Sequence, residues 1–595
     1  MEKAPLDRKR QFDDIWEELP HAGKYQLKLV CFSSYMTLIM GLSAMYPVFA
    51  QYSQKHHCLT SLDDLSFLDR NDIHKVSIML QEHCGSTKKA GCEKCSYPEE
   101  IINLCANQTS SKTNSNSTAE DIFTCITTIS KNYGQNATLE TCGADGNVYQ
   151  RHLLGASSDS WESAVTQFNL VCEKEILSTY MVSAGSFGFL LGSLVAGIHC
   201  DTFGRKNAMM VHTFTTIATY TAQGLIVNQY AFLIFRTLTS LFSVIGFLSA
   251  LTYGVEILGP RRRSLTSTIL CFMFSGGFAG ISVLSYYLPD WQNLTLCIAA
   301  LAAVNILFRK FISTFLSLTL ILSVPFLPES PRFLVTKGRY EEAQVILDRF
   351  ASEASEPDDE PLLAPDISLF VIEKPGKAPP VTEILFSAFF GKVFVIISVA
   401  YFVVNMVYYG LGYGVSSLSG SIYINNAING ALEAVAYCFT APITDIFGRK
   451  NSLIVLSIIS GLACFTHMWV ITTPALTIGW YTNIAAFFGK FTISAVFCAL
   501  FTLSAELFPT EVRSIGVSIT SMIGRVGSIV APFLNIFLTW PGLEWLPHTI
   551  FASLSILSGL SLLLLPETKS LPLFQTVVEA EEFHASEKKK RHIST

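Results

Sequence analysis

A short charged turn occurs twice in this chain, and each copy separates two long apolar segments. The first copy reads Asp201-Thr-Phe-Gly204-Arg205-Lys206 and the second reads Asp445-Ile-Phe-Gly448-Arg449-Lys450. Because each copy ends one apolar run and begins the next, we predict that each is the tight turn of a helical hairpin. The same turn at matching places in two halves is typical of a membrane protein built from two pseudo-symmetric repeats.

The composition also indicates a membrane protein. The hydrophobic fraction is 50%, the charged fraction is 15% and the mean hydropathy is +0.40, whereas a soluble chain carries about a quarter charged residues. The net charge of −6 gives no reason to expect nucleic-acid binding. The apolar runs of about 20 residues match a helix that crosses roughly 30 Å of hydrocarbon. Twelve spans are predicted, at residues 27–49, 177–199, 207–228, 231–253, 264–288, 294–326, 385–409, 420–442, 451–471, 475–499, 514–538 and 546–565.

The distribution of Lys and Arg predicts the orientation of these spans. Basic residues occur in the N-terminal tail, in both turns and in the loop 328–383, and they are absent from the alternate short loops. By the positive-inside rule both termini are cytoplasmic. The predicted segments are a cytoplasmic N-terminal segment (1–26), an N-terminal half (27–327) with a large extracellular loop (50–176), a cytoplasmic inter-half loop (328–384), a C-terminal half (385–565) and a cytoplasmic tail (566–595). The inter-half loop is either a tether or a regulatory element.

One apolar run is too long for a single span. Residues 294–327 are interrupted only by Arg309-Lys310. Two crossings here would invert the second half and move Gly448 to the outside, which the charge pattern opposes. One crossing with a membrane-surface segment or an insertion is the alternative that we expect.

The large outer loop is predicted to be cross-linked and glycosylated. An extracellular loop is in an oxidising compartment, so its eight cysteines predict up to four disulfides with 105 possible pairings. A zinc site at Cys92-x-x-Cys95 is disfavoured, since no second ligand pair completes it. The disulfide candidates are Cys58, Cys84, Cys92, Cys95, Cys105, Cys125, Cys142 and Cys172, and the predicted glycosylation sites are Asn107, Asn116 and Asn136. The other seven cysteines lie in apolar segments and are expected to be free core residues.

Further motifs extend the hairpin repeat into a family resemblance. The motifs are Phe12-Asp-Asp-Ile15 with Gly23-Lys-Tyr-Gln26, Thr166-Gln-Phe-Asn-Leu-Val-Cys172, Pro328-Glu-Ser-Pro-Arg-Phe-Leu334, Tyr408-Tyr-Gly-Leu411, Ala505-Glu-Leu-Phe-Pro-Thr-Glu-Val-Arg513 and Pro566-Glu-Thr-Lys-Ser-Leu-Pro572. The chain resembles the major facilitator superfamily and, within it, the organic cation, organic anion and carnitine transporter family. The resemblance implies an all-α major facilitator fold, with twelve transmembrane helices in two pseudo-symmetric six-helix halves.

The resemblance also implies a cytoplasmic gate that closes in one state and opens in the other. A glycine in each turn permits positive φ, and the neighbouring basic residues prefer the cytoplasmic interface. Topology alone would also place Lys and Arg there. The candidate gating residues are Asp201, Gly204, Arg205, Lys206, Glu256, Arg261, Glu329, Arg332, Asp445, Gly448, Arg449, Lys450, Glu506 and Arg513.

Charged residues inside the spans are candidates for substrate binding, because they are costly in lipid. Glu433 suits an ammonium group or a coupling ion, or else forms an internal pair with a basic neighbour. Arg525 offers a forked partner for a carboxylate, and relatives that carry anions or carnitine tend to have Arg in this segment. Glu433 and Arg525 therefore either accept a zwitterion together or neutralise each other. Lys490, also a substrate-site candidate, and Arg236 are expected to form structural pairs.

Tyrosines on spans 4, 5, 7 and 8 are further candidates. An aromatic face attracts a quaternary ammonium by about 0.5–2 kcal/mol, although a membrane tyrosine more often packs or lies in an interface belt. The candidates are Tyr253, Tyr286, Tyr401, Tyr408, Tyr409 and Tyr437.

Together these features predict a plasma-membrane secondary transporter rather than an enzyme. The expected substrate is a small organic cation or carnitine-like zwitterion, carried by alternating access. An organic anion exchanger and a non-transporting glycoprotein are the alternatives. The sequence has no Gly-Lys-Ser/Thr nucleotide loop, so the expected energy source is an ion gradient or the membrane voltage. No cofactor or metal is expected, and sodium or proton coupling is an option. The lipid bilayer is the other expected partner.

Overall fold

Twelve long helices, numbered α1 to α12, account for most of the described structure. The computed structural model describes residues 15–18, 23–52, 56–58, 93–96, 124–125, 138–141, 147–149, 162–171, 174–258, 263–314, 327–354, 365, 367, 388–473, 481–509, 512–539, 542–569, 577 and 579–583. The helices are α1 (Lys24–Ala50), α2 (Glu175–Phe203), α3 (Arg205–Gly224), α4 (Gln229–Leu258), α5 (Arg263–Tyr287), α6 (Trp291–Thr314), α7 (Ala388–Tyr413), α8 (Ile422–Phe447), α9 (Arg449–Thr472), α10 (Tyr481–Leu507), α11 (Arg513–Asn535) and α12 (Trp545–Ser561).

Each predicted span overlaps one of these helices. Among the described residues, nine helices are long and apolar enough to cross a membrane, and the other three are α3, α6 and α8. Helix α8 is more polar because it carries Asn425, Asn426, Asn429 and Glu433, all of them buried. The apolar run at 294–327 contains α6, which ends at Thr314, and residues 315–326 lie outside the described part.

The helix packing repeats between the two halves. In the N-terminal half, α1 packs against α4, α5 and α6, α2 packs against α4, and α3 packs against α4 and α6. Every one of these pairs recurs in the C-terminal half when six is added to both helix numbers. The main contacts between the halves, α2 with α11 and α5 with α8, are related in the same way. The packing therefore confirms the duplication predicted from the two turns.

The two turns have the predicted backbone. Gly204 has φ 94° and Gly448 has φ 92°, and each glycine ends one helix and precedes the next. An L side chain rarely adopts this conformation. We call the helix ends beside Gly204 and Gly448 the turn ends and the opposite ends the far ends.

The outer loop contains four short strands, which the all-α prediction missed. Strand β1 (His56–Cys58) pairs antiparallel with β4 (Asn147–Tyr149), and β2 (Glu93–Ser96) pairs antiparallel with β3 (Thr138–Thr141). These strands are too short to give a clear alternating pattern in the sequence. The ladders place Cys58 opposite Asn147 and Cys95 opposite Leu139.

The cysteine predictions are only partly covered by the described residues. Cys125 is disulfide-bonded. Seven cysteines are free as predicted, but Cys31 and Cys438 are exposed on the helix bundle instead of lying in the core. Outside the described residues lie Cys84, Cys92, Cys105, Cys142 and Cys172, together with Asn107, Asn116 and Asn136.

The inter-half loop packs against the turn end of the N-terminal half. Its short helices Pro331–Thr336 and Tyr340–Ala354 contribute Leu334, Leu347 and Phe350 to a buried cluster with Leu29 of α1 and Ile257 of α4. This packing gives the first part of the loop a structural role.

Candidate functional site

A buried carboxylate lies at the centre of the C-terminal half. Glu433 of α8 is 0% exposed. Its Oε1 accepts hydrogen bonds from the hydroxyls of Tyr408 at 2.7 Å and Tyr437 at 2.8 Å. Tyr437 lies one turn further along α8, whereas Tyr408 comes from α7. Two short hydrogen bonds to one oxygen fix the position of the carboxyl group.

The other oxygen of this carboxylate faces a lysine. Nζ of Lys490, on α10, lies 3.3 Å from Oε2 of Glu433, at ion-pair distance but not in hydrogen-bond alignment. The same Nζ is 3.1 Å from the ring centroid of Tyr408 and 4.8 Å from that of Phe278. Phe278 belongs to α5, so the N-terminal half contributes one aromatic face. Glu433 and Lys490 thus form the internal pair that the sequence left as one alternative.

Arg525 of α11 is next to this pair and has no acid partner. Its Nη1 donates to the hydroxyl of Tyr409 at 3.3 Å. Among the described residues, no carboxylate lies at ion-pair distance from its guanidinium. The rings of Tyr409 and Tyr408 are 5.1 Å apart, edge to face. The sequence alternative in which Glu433 and Arg525 neutralise each other is therefore not what the structure contains.

The six candidate tyrosines differ in their position relative to Glu433. Tyr408, Tyr409 and Tyr437 belong to the central site. Tyr401 is buried on the same helix as Tyr408, shares a hydrogen bond with Ser504 at 2.9 Å and packs on Phe501.

Tyr253 and Tyr286 do not belong to the central site, which corrects the sequence prediction. Tyr253 lies near the turn end of α4 and donates to the Pro328 carbonyl at 3.0 Å. Tyr286 is 54% exposed at the far end of α5. Both tyrosines were predicted to bind substrate because they lie on membrane spans, but a position on a span does not determine how deep in the membrane the side chain lies.

Two residues of this region were missed by the sequence analysis. Phe278 carries no signal, because it is one of many aromatics in apolar runs. The sequence does contain a signal for Asn426, because a polar amide within an apolar span needs a hydrogen-bond partner. Its Nδ2 donates across the halves to the Phe278 carbonyl at 3.0 Å and to Ser282 Oγ at 2.8 Å.

Lys490 and Arg236 were both expected to form structural ion pairs, and only the pair of Lys490 is found in the described part of the chain. Lys490 pairs with an acid, but Arg236 does not: within the described residues its guanidinium has no carboxylate at ion-pair distance. Its Nη2 donates to the Ser43 carbonyl at 3.0 Å, and the guanidinium lies 4.8 Å from the Tyr46 ring centroid.

The first turn anchors a charge network within the N-terminal half. Nε and Nη2 of Arg205 each lie 3.1 Å from an oxygen of Glu256, and Nη2 is 3.2 Å from Asp201. Glu329 accepts from the backbone N–H groups of Arg205 and Lys206, at 3.0 and 3.1 Å. A carboxylate at these N–H groups complements the positive end of the α3 dipole.

The second turn repeats this network in the C-terminal half. Nε of Arg449 is 3.2 Å from Glu506, and Nη1 is 2.9 Å from Asp445. Glu567 occupies the position of Glu329 and accepts from the N–H groups of Arg449 at 2.8 Å and Lys450 at 3.3 Å. Partial burial raises the pKa of the Glu567 carboxyl, but the surrounding backbone N–H donors outweigh it and hold the pKa below its usual value. Glu567 was not among the predicted gating residues, although its motif was recognised.

Among the described residues, each ion pair of the two turns joins groups of the same half. Arg332 is exposed. Arg261 and the side chain of Arg513 lie outside the described part, so their gating roles stay predictions.

Ring contacts between the halves lie at the far ends. Tyr423 of α8 packs on Phe49 of α1 at 5.5 Å and on Tyr286 of α5 at 5.6 Å, and Tyr180 of α2 packs on Phe533 of α11 at 5.5 Å. At the turn ends, Phe203 is 59% and Phe447 is 66% exposed. The far ends are therefore joined while the turn ends of α2 and α8 are uncovered. Among the described residues, no group of three or more His, Cys, Asp or Glu side chains is arranged to hold a metal ion.

Known membrane transporters are similar to this chain in sequence. The profile described as "Sugar (and other) transporter" matches residues 111–579. Pig solute carrier family 22 member 1 is 30% identical over 72% of this chain and 75% of its own length. Human solute carrier family 22 member 16 is 27% identical over 98% and 95%, and human organic cation/carnitine transporter 2 is 26% identical over 70% and 73%.

A solved structure of the proton:xylose symporter XylE with 6-bromo-6-deoxy-D-glucose covers 93% of this chain and 99% of that one. Its TM-score is 0.51 at 14% identity, so this likeness concerns the fold. Since the profile matches most of the sequence and a relative reaches 30% identity over more than two thirds of it, this chain belongs to the sugar (and other) transporter family of the major facilitator superfamily, with solute carrier family 22 proteins as its relatives.

Proposed function

We propose that this multi-pass transporter carries a small zwitterion of the carnitine type across the plasma membrane by alternating access, with both termini in the cytoplasm. One observation carries the choice of substrate class: no carboxylate of the described residues lies at ion-pair distance from Arg525, while Glu433 is already paired with Lys490. Glu433, Lys490 and Arg525 together leave one positive charge. A substrate carboxylate compensates that charge, and Arg binds a carboxylate through two parallel N–H donors.

The ammonium end of the substrate has a separate set of partners. Tyr408 and Phe278 already surround one cation, the Lys490 ammonium. A quaternary ammonium favours the same aromatic faces. Substrate entry would therefore shift Lys490 away from Tyr408, and the ammonium would then face Glu433. This exchange of one cation for another keeps the buried carboxylate compensated throughout.

The charge of the substrate determines whether the membrane potential can drive its accumulation. A zwitterion gains nothing from the membrane potential, whereas each net charge gains about 2.3 kcal/mol per 100 mV. Accumulation of a zwitterion therefore requires a co-transported ion, sodium or a proton, or exchange. In this scheme each turn network moves as a unit with its own half. Closure of the turn ends then requires contacts between gating residues of different halves.

An organic anion exchanger is the second candidate, and the net positive charge of the site favours it. One of the named relatives is an organic cation/carnitine transporter, which favours a substrate with an ammonium group. A non-transporting glycoprotein predicts no uptake of any probe.

Uptake by proteoliposomes that contain the purified chain separates these functions. The probes are radiolabelled carnitine, tetraethylammonium and p-aminohippurate, each with and without a sodium gradient. The proposal predicts saturable carnitine uptake that exceeds the uptake of the other two. Uptake of p-aminohippurate alone would support the anion exchanger, and no uptake of any probe would contradict transport of these substrate classes.

The Arg525→Gln variant tests the carboxylate partner. Loss of a charged hydrogen-bond partner costs about 1.5–3 kcal/mol, roughly a 10- to 150-fold loss of carnitine affinity. Tetraethylammonium, which has no carboxylate, should lose much less. Arg339→Gln is the matched control, because Arg339 pairs with Glu342 on the exposed inter-half loop. Equal losses for both substrates would remove the assigned role of Arg525.

A further inference from the structure

A second buried cation, in the N-terminal half, has no carboxylate of the described residues at ion-pair distance. Arg236 of α4 is 1% exposed. It uses one N–H group for the Ser43 carbonyl, and its Nε and Nη1 have no hydrogen-bond partner. An isolated charge at this depth in a membrane protein is costly unless something compensates it. The neighbouring helices of the described structure supply no carboxylate.

Polar side chains from three helices, α1, α3 and α4 itself, lie around this guanidinium. The hydroxyl of Tyr220, on α3, lies near Ser43, Ser243 and Arg236, but it is not aligned for a well-formed hydrogen bond with any of them. Ser43 Oγ on α1 and Ser240 Oγ, one turn from Arg236 on α4, are also buried without a partner. Each of these groups can donate a hydrogen bond. Several unused donors around a fixed positive charge favour an anion and exclude a second cation.

The packing around Arg236 limits the size of such an anion. A Cβ on Gly185 of α2 would lie 2.9 Å from Nη2 of Arg236, so the α2 backbone forms a wall against the guanidinium. One turn further, a Cβ on Gly188 would collide with the Thr237 carbonyl of α4. Helices α2 and α4 thus pack too closely to admit an organic carboxylate without separating. A monatomic anion needs the least additional space.

We propose that Arg236, Tyr220, Ser43 and Ser240 form a chloride-binding site within the N-terminal half. Chloride accepts the free Nε–H and Nη1–H of Arg236 and the hydroxyl groups around it. The site is distinct from Arg525, which belongs to the other half, and it does not depend on which organic ion is transported. Chloride then compensates the buried charge and stabilises the packing of α1, α3 and α4.

Thermal unfolding of the full-length protein in nanodiscs tests the site. Chloride is titrated against gluconate at constant ionic strength, with bromide and iodide as additional probes. The unfolding temperature should rise saturably, by about 1–2 °C when chloride is tenfold above its dissociation constant. Arg236→Gln should abolish this rise. Arg525→Gln should retain it, which separates this site from the other unpaired arginine, and Arg339→Gln serves as the exposed control.

Chloride-35 line broadening in NMR measures binding directly, including for a variant of low stability. Broadening should occur with the wild type, weaken in Tyr220→Phe and disappear in Arg236→Gln. A wild type whose stability and line width are insensitive to chloride would overturn the proposal. So would a chloride effect that survives in Arg236→Gln, or one that Arg525→Gln removes.

Discussion

Nζ of Lys490 lies 3.3 Å from Oε2 of Glu433, and neither side chain reaches the surface of the protein. The pair joins α10 to α8, and the ring of Tyr408 lies beneath the ammonium. A buried pair adds little net stability when it is intact, but removal of one partner leaves an uncompensated charge. Removal of either charge alone is therefore expected to cost more stability than removal of both.

Lys490→Met should lower stability by about 3–5 kcal/mol, because it leaves the Glu433 carboxylate buried and unpaired. The double variant Glu433→Gln/Lys490→Met should lose much less than the sum of the two single losses. Thermal unfolding of all three variants completes a double-mutant cycle. Lys392→Met, at an exposed position of α7, is the control. Additive losses would mean that the two groups are not coupled.

Tyr409→Phe should weaken the binding of carboxylate-bearing substrates without abolishing transport. The Tyr409 hydroxyl accepts from Arg525 at 3.3 Å, a long hydrogen bond. Its loss is expected to cost about 0.5–1.5 kcal/mol and to raise KM for carnitine roughly 2- to 10-fold. Uptake kinetics measure the change. Tyr286→Phe should leave KM unaltered, since Tyr286 lies at the far end of α5; an equal effect of both variants would contradict this geometry.

The fold was largely predictable from the sequence, because apolar length and a repeated turn are local signals. Gly204 and Gly448 lie in the turns where they were expected, and each predicted span overlaps a helix. The strands β1 to β4 were not predictable, since their pairing joins short segments far apart in the outer loop.

The site was predictable as a set of residue types but not as a set of contacts. Glu433, Lys490 and Arg525 stood out because charged residues in apolar spans are rare. Which of them pair depends on the rotation of α8, α10 and α11 about their axes, and a single sequence does not reveal that rotation. For the same reason Tyr253 and Tyr408 looked equivalent, although one lies near Pro328 and the other beside Glu433.

Gly448→Ala should destabilise the second turn, at a cost of about 1–3 kcal/mol. The residue has φ 92°, and a Cβ there would lie 2.6 Å from Oε2 of Glu567. Gly204→Ala should behave similarly because it faces Glu329. Gly197→Ala is the control, since its Cβ meets nothing within 4 Å in the middle of α2. Thermal unfolding should leave the control unchanged or slightly raised, and a neutral Gly448→Ala would contradict the strained turn.

Acid should weaken the second turn through Glu567. Its pKa is below the usual value because backbone N–H groups bind the carboxylate. The stabilisation is therefore complete at neutral pH and is lost as the pH falls through the lowered pKa, where the folded protein takes up the proton. Unfolding temperatures measured from pH 7 down to well below the ordinary carboxyl pKa of 4.5 should fall more steeply for the wild type than for Glu567→Gln, with the difference developing below pH 4.5. Parallel curves would mean that Glu567 contributes nothing to this dependence; Glu341→Gln, in the inter-half loop, is the control.

The central claim is that two equivalent halves rock about the site between them, and distances between spin labels test it most directly. One label pair replaces Asn207 and Asn451, which are exposed just after the two turns, and the other replaces Val227 and Trp469, which are exposed at the far ends. Both pairs are placed in a background in which the exposed Cys31 and Cys438 are serine.

Pulsed electron spin resonance in nanodiscs, with and without transported substrate, gives the distance distributions of both pairs. Alternating access predicts opposite shifts: the population with a shorter distance at the turns should have a longer distance at the far ends. Distances that stay fixed at both ends, or that change in the same direction, would contradict the account.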